Sequence, residues 1–420
     1  MGPVDETAEL RRRIEELQSS LSWRITSPLR FLAKPFFRAR AQEKKTAVAT
    51  RVVAPPNGAA ATPAPIPPRP DREERRSDIT GTPAGPTIDT LCTFYKVPPE
   101  FAHGILLRFV GDNYDRNLGD IEQLQARYAQ YQIQLHYALS TNARGRDLAK
   151  QLKAWGVPIE PEKKPRKSYL DVGFAYGGSL AAFAEMGYQV TGIEISQELA
   201  HLGRLNLESL GPAVTTLTGD FLSEELITGE RQFDLITCCD VIEHVMDPET
   251  ALRKICRLLK PGGAAYIAFP TRLSVPYVRA DAHSQLFGLT LLDYYRARAA
   301  FTMYTGWPYY EVSDFYEPEW YLNTARLAGV QAELLYDDTL PVPDIPDEIA
   351  QLYQAFSEWT RTGSRKLEPL MRHEITLEMA KYSARLFREY SEHIASNSLD
   401  QFARKWIDRL TRILVRKPSV

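Results

Sequence analysis

The chain is poor in cysteine, histidine, methionine and tryptophan, with 4, 7, 6 and 6 of them in 420 residues. Cys92, Cys238, Cys239 and Cys256 form no plausible disulfide framework and no metal spacing, so no metal ligand set is expected. Cys238 and Cys239 lie inside an apolar run and read as small buried hydrophobes. No apolar stretch reaches the length of a membrane span, and the N-terminus lacks a signal-peptide core, so a reducing cytoplasm is expected. An excess of one charge is also missing. The 51 Lys and Arg stand against 53 Asp and Glu, a net charge of −2, which gives no argument for a nucleic-acid partner. What remains is a soluble globular composition, 44% hydrophobic and 25% charged. Its length suits one large domain with appendages, or two domains.

The organising stretch is residues 168–196. Tyr169-Leu170-Asp171-Val172 is a short apolar run with one carboxylate, broken at Gly173-Phe174-Ala175-Tyr176-Gly177-Gly178. Ser179 to Met186 then reads as a helix closed by Gly187, and Gln189 to Glu194 as a second strand. Glu194 stands about 20 residues past the first glycine, where an acid at a strand end grips ribose hydroxyls. A dinucleotide fingerprint would need Gly at the middle position, which here is Ala175. The spacing Asp171-x-Gly173-x-Ala175-x-Gly177 resembles motif I of the class I S-adenosylmethionine-dependent methyltransferases, with Ala175 as a departure. In that family the turn packs against the cofactor's amino-acid end.

Strand and helix continue to alternate, as in a doubly wound α/β sheet. Gln197 to Leu210 reads as a helix and Val214 to Thr218 as a strand ending at Asp220-Phe221. Phe233 to Cys239 reads as a strand buried on both faces, followed by Asp240-Val241-Ile242-Glu243-His244. A helix from Pro248, Lys260-Pro261-Gly262-Gly263 and a strand from Ala264 to Phe269 complete a series that resembles the same family over residues 168–270. The resemblance implies S-adenosyl-L-methionine as cofactor, with Glu194 on the ribose and Asp220 on the adenine amino group. It also implies Phe221 against the adenine ring and Asp240-Val241 over the other side. Methyl transfer to a hydroxyl needs a base, and histidine suits that near neutral pH. His283, opening an aromatic-rich insertion, and His244, at the mouth of the fourth strand, are the candidate catalytic residues. A surface-loop histidine and a loop-orienting residue are their plainer readings, and the insertion's tyrosines are either an acceptor wall or core.

Outside the sheet, residues 1–51 read as an amphipathic basic arm in which Leu10, Ile14, Leu17 and Leu21 would make a two-heptad seam. The arm suits an anionic membrane surface on the inner face of the cell membrane, or a protein partner, equally. The string Ser22-Trp23-Arg24-Ile25-Thr26-Ser27-Pro28-Leu29-Arg30 resembles termini of bacterial glycosyltransferases and methyltransferases that build surface polysaccharides. Residues 52–87 read as a disordered Pro/Ala-rich linker, 88–165 as a helical cap, and 166–340 as the methyltransferase domain with its insertion at 271–316. Residues 341–420 read as a helical C-terminal extension ending in an amphipathic helix from Phe402 to Val415.

The function expected from these features is O-methylation of a sugar in a bacterial surface polysaccharide or its lipid-linked precursor. A glycan or sugar-lipid acceptor, a glycosyltransferase contact and a homodimer are the partners considered. The rivals are a quinone, lipid or amine methyltransferase, a nicotinamide-dependent oxidoreductase, and a scaffold with a vestigial cofactor pocket. Ala175 and the series from Asp240 to Gly263 speak against the oxidoreductase.

Overall fold

The computed structural model describes residues 88–110, 134–159, 166–227, 231–313, 315–337 and 344–419. The basic arm, the linker and most of the predicted helix at 120–139 lie outside the described residues.

Helices α1 (Ile88–Tyr95), α2 (Pro99–Val110) and α3 (Thr141–Ala154) precede the sheet. Then β1 (Ser168–Val172), α4 (Gly178–Glu185) and β2 (Gln189–Glu194) form the predicted βαβ unit. The alternation runs on through α5 (Gln197–Leu207), β3 (Val214–Thr218), β4 (Phe233–Cys239), α6 (Pro248–Leu258) and β5 (Leu259–Pro270). Ser196 caps α5 by accepting from the Leu199 amide, and Asp247 caps α6 just ahead of Pro248. Both use a side-chain oxygen to satisfy an amide that has no partner within its helix. Lys260-Pro261-Gly262-Gly263, expected to precede the fifth strand, falls inside β5, and the β4–β5 register shifts between Phe233 and Leu235.

Beyond β5 come α7 (Val275–Arg279), α8 (Tyr294–Thr305), α9 (Pro318–Leu327) and β6 (Gln331–Leu334). Helices α10 (Ile345–Arg361), α11 (Pro369–Ala395) and α12 (Leu399–Trp406) follow, and then β7 (Leu410–Arg416). The seven strands are ordered β3-β2-β1-β4-β5-β7-β6, a doubly wound sheet with β1 to β5 parallel and β7 antiparallel to both neighbours.

That last strand corrects the expected helix from Phe402 to Val415. The helix stops at Trp406, and Leu410–Arg416 enters the sheet between β5 and β6. The physical reason is tertiary. Ile413, Leu414 and Val415 are buried, as in a strand covered on both faces, and two neighbouring strands supply their hydrogen bonds. Residues 345–406 are therefore a helical insert between β6 and β7.

The aromatics of the insertion divide: Phe287, Phe301, Tyr304, Tyr310 and Phe315 are buried core, Tyr277, Tyr294, Tyr309 and Tyr316 are half-buried, and Tyr295 and Trp307 are exposed. Arg272 organises this region. Its guanidinium donates to the carbonyls of Thr290, Leu292 and Phe315 at 2.9, 3.0 and 2.6 Å.

Candidate functional site

A cavity of about 200 Å³ opens at the carboxyl ends of β1, β2 and β4, where open α/β sheets bind ligands. Asp171, Gly173, Ala175, Glu194, Asp240 and Val241, all expected from the sequence, line it. The β-register explains the convergence, because Asp171 lies between Gly192 of β2 and Thr237 of β4. Thr237 donates to Asp171 at 2.7 Å and takes the Tyr169 hydroxyl in turn. Burial outweighs that hydrogen bond and pushes the Asp171 carboxyl up to about 7.

Gly173 sits at φ +78°, and a side-chain carbon there would come within 2.3 Å of Val241. Ala175 also has positive φ, +45°, so its methyl group carries backbone strain of about 1–2 kcal/mol. Glu194 is buried and braced. Its Oε2 accepts from the Ala175 amide at 3.1 Å and its Oε1 from the Ser196 amide at 2.9 Å. Each oxygen keeps a lone pair for a ligand diol. Asp240, also at positive φ, is exposed and lines the cavity; the protein packed around it, with the Glu243 carboxylate, pushes its carboxyl up to about 7.

The sequence did not single out the cavity's other wall. Tyr137, Thr141 and Arg144 come from the helical region ahead of the sheet. Helix α3 reaches the cavity because it crosses α4 backbone to backbone. A side-chain carbon on Gly145 would lie 2.1 Å from the Gly178 carbonyl oxygen. Asn142 of α3 and Asn206 of α5 exchange hydrogen bonds at 3.0 and 2.8 Å beside this junction. Arg144 lies over the Tyr137 ring, 3.6 Å from its centroid, with its buried Nε unpartnered. The buried Tyr176 hydroxyl is unpartnered as well. Two orphaned donors and a braced carboxylate around one cavity fit an amino-acid end and a ribose, and so fit S-adenosylmethionine. The glycine pair was the available sequence signal.

Other expected residues stand apart. Gly177 ends the turn at φ +77° beside Leu207. Asp220 is exposed and accepts from the Leu222 amide at 2.9 Å, while Phe221 is buried in the core with Lys254 over its ring at 5.2 Å. Neither lines the cavity. Of the paired cysteines, Cys238 is buried in the core, but Cys239 reaches the cavity wall, where burial pushes its thiol up.

His244 and His283 meet in a second cluster, their rings edge to face with centroids 4.9 Å apart. Between them is Glu243, fully buried, with neither oxygen within hydrogen-bonding distance of a donor. Its Oε1 is 3.7 Å from His244 Nε2 and 3.8 Å from His283 Nε2. The opposite ring nitrogens are also engaged: His244 Nδ1 with the Glu311 carbonyl at 3.2 Å, His283 Nδ1 with Asp281 at 3.9 Å. Burial on its own would lower His283, but the Asp281 and Glu243 carboxylates hold it up at about 9. Burial would likewise raise Asp281, yet His283 and Ser284 hold it below the usual carboxylate range. Ligand atoms of Glu243, His244 and His283 all lie within 4.8 Å of one another, so one cation could touch all three.

Beside this cluster is a smaller cavity of about 140 Å³ walled by Tyr294, Tyr310, Phe315 and Tyr316, with Arg272 at its edge. Tyr310 donates to Asp281 at 3.3 Å, and the Ser313 amide donates to the Glu243 carbonyl at 2.8 Å. The cluster thus links the two cavities: Asp240 of the first feels the His283 charge, and Tyr310 and Ser313 of the second bond to it.

Residues 170–267 match the family model described as a methyltransferase domain. The chain is 35% identical over 116 residues to the ubiquinone biosynthesis O-methyltransferase of Pseudomonas paraeruginosa, covering 27% of this chain and 49% of that protein. The protein of the same name from Stutzerimonas stutzeri is 32% identical over the same shares. The chain thus spans about half the length of the curated relatives it matches. Among solved structures, phosphoethanolamine N-methyltransferase 2 of Haemonchus contortus, in complex with S-adenosyl-L-methionine, is 19% identical. It covers 64% of this chain and 52% of that one, with a TM-score of 0.34. Among the described residues no helix is long and apolar enough to cross a membrane.

Proposed function

We propose that the chain is an S-adenosylmethionine-dependent methyltransferase acting on a hydroxyl of a small ring-bearing molecule. The observation that carries the reading is the cavity lined by Glu194, Arg144 and the Gly173–Ala175 turn, inside the stretch that matches the methyltransferase domain. Glu194 would accept from the ribose hydroxyls, and Arg144 and Tyr176 would donate to the amino-acid end. Bound there, the cofactor supplies an electrophilic methyl group on a sulfonium. The residues around it have to exclude water, align the acceptor and take its proton.

The aromatic cavity suits a planar apolar body, and the matched relatives are named for ubiquinone biosynthesis. Both support a quinone-like or other small acceptor over a sugar. The glycan expectation rests on arm residues outside the described ones, and it gains no support from the cavity walls. The Glu243–His244–His283 cluster is the proton-handling group in this reading. Since His283 stays protonated to about 9, it accepts a proton only as it titrates, so the rate should rise with pH up to about 9. His283→Gln should remove that rise and lower turnover by about 10²–10⁴-fold, leaving cofactor affinity unchanged.

The test is calorimetric titration with S-adenosylmethionine, then transfer of a labelled methyl group to phenolic acceptors and, in parallel, to extracted glycans. Absence of cofactor binding would sink the enzyme reading. Labelling of glycans alone would overturn the acceptor class, and an unaltered pH profile in His283→Gln would free His283 of any proton transfer.

A further inference from the structure

Helix α11 has two apolar faces. One carries Met371, Ile375, Met379, Tyr382 and Leu386, all buried against the core. The other is open: Leu370, Leu377, Phe387 and Ile394 are 69, 46, 45 and 54% exposed. Scattered apolar residues on a surface are ordinary, but a contiguous row of them marks an interaction site. With His373, Ala380, Ala384 and Ser391, also exposed, these residues step by alternating threes and fours without a break. That is the spacing of a two-helix seam, sustained over the length of a helix about 40 Å long.

The row is also palindromic. Counting outward from Tyr382 in either direction meets an alanine (Ala380, Ala384), then a large apolar residue (Leu377, Phe387). Next comes a polar residue (His373, Ser391), and last a large apolar one again (Leu370, Ile394). The members of each pair are equidistant from Tyr382. A two-fold contact requires a surface complementary to itself under reversal, and this order supplies it.

We infer that the exposed face of α11 pairs antiparallel with the same face of a second copy of this chain, about a two-fold axis at the level of Tyr382. Ala380 then meets the partner's Ala384 near the axis, where small side chains let the backbones approach. Leu377 packs on the partner's Phe387, whose ring is steadied within its own chain by stacking on Tyr353 at 5.7 Å. His373 faces the partner's Ser391, two groups able to share a hydrogen bond, and Leu370 closes the end against the partner's Ile394. Charge adds to this without being strictly symmetric. Glu374 lies eight residues before Tyr382, 3.9 Å from Arg296 of its own chain, and Arg388 six residues after Tyr382. Both are on one flank of the row, so antiparallel pairing sets each Glu374 within a turn of the partner's Arg388, twice per dimer. A parallel pair would leave both unmatched. The seam of Leu10, Ile14, Leu17 and Leu21 is the other candidate occupant, but its two heptads cover only half the face and do not reproduce the palindrome.

Sedimentation velocity on the full chain at micromolar concentration tests this pairing. The wild type should run as a dimer, and Leu377→Glu combined with Ile394→Glu as a monomer with unchanged far-UV circular dichroism and a melting temperature that no longer depends on concentration. Glu374→Arg and Arg388→Glu should each weaken dimerisation severalfold, since either makes two like-charged pairs. Mixed in equal amounts, the two single variants should recover the dimer, because every facing pair is again Arg against Glu. A monomeric wild type would overturn the pairing. So would a dimer that survives the double glutamate variant, or a mixture no more dimeric than its components.

Discussion

The half of the molecule built from consecutive βα units and the half completed from the far end of the chain treat a buried carboxylate in opposite ways. Glu194, at the end of β2, is braced by the amides of Ala175 and Ser196, both within 20 residues of it. Glu243, after β4, has no such donors. Its neighbours are the imidazoles of His244 and His283, at 3.7 and 3.8 Å, and His283 belongs to the insertion that follows β5. A carboxylate held by backbone amides is a pre-organised acceptor that can wait for a ligand. One flanked by two imidazoles depends for its partners on a loop 40 residues away. The first arrangement suits cofactor binding and the second suits proton transfer.

The difference can be broken most severely at β7. Ending the chain after Trp406 removes the strand between β5 and β6 and bares both of its partners, so we expect no cooperative thermal transition by circular dichroism. A truncated chain that melted like the full one would mean the far end merely decorates a self-sufficient sheet.

Next in size is Glu243→Ala. It leaves the His283 cation with one carboxylate in a buried site and should cost about 3–5 kcal/mol in denaturant unfolding. Glu243→Gln, which keeps the volume but removes the charge, should cost nearly as much. A Gln variant as stable as the wild type would show that packing rather than charge holds the cluster. The corresponding change on the other side, Glu194→Ala, should weaken S-adenosylmethionine binding by about 1–3 kcal/mol, read by calorimetry. Unchanged affinity in a folded variant would remove Glu194 from the ribose.

The smallest expected effect is a gain. Asp171 titrates near 7 in the fold and near 3.8 as a free side chain, so the fold holds its proton more tightly. Stability from this group is therefore lost as pH rises from about 4 through 7, and ionisation is a penalty above that. Asp171→Asn keeps an acceptor for Thr237 and removes the charge. Its stability relative to wild type should be higher at pH 8 than at pH 5 by on the order of 2 kcal/mol. No difference between the two pH values would show that water reaches Asp171. His283 behaves alike in direction for the opposite reason. Its proton stabilises the fold fully below about 6.5, and that contribution fades as pH approaches 9.

Much of the first half was legible because its determinants are local. Asp171, Gly173 and Glu194 occupy one strand–turn–helix–strand run, and strand alternation with glycine punctuation is enough to bring them to one edge. The pairing of His244 with His283 was not legible. Only the path of the insertion, pinned by Arg272 to three carbonyls, brings them within 4.9 Å. Arg144 was missed because its approach depends on two glycines in different helices meeting backbone to backbone. Asp220 and Phe221 follow the expected strand and stand outside the cavity lining.

By itself the sequence determined the parallel order of β1 to β5 and the acid–glycine edge of the cavity, since period, turn chemistry and chain continuity act over a few residues at a time. Tertiary structure decided the rest. Leu410–Arg416 is apolar enough for a helix face or a strand, and only the unfilled hydrogen bonds of β5 and β6 select the strand. The charges of Asp171 and His283 were equally undetermined, because a titration point depends on burial and on which charges the fold brings near.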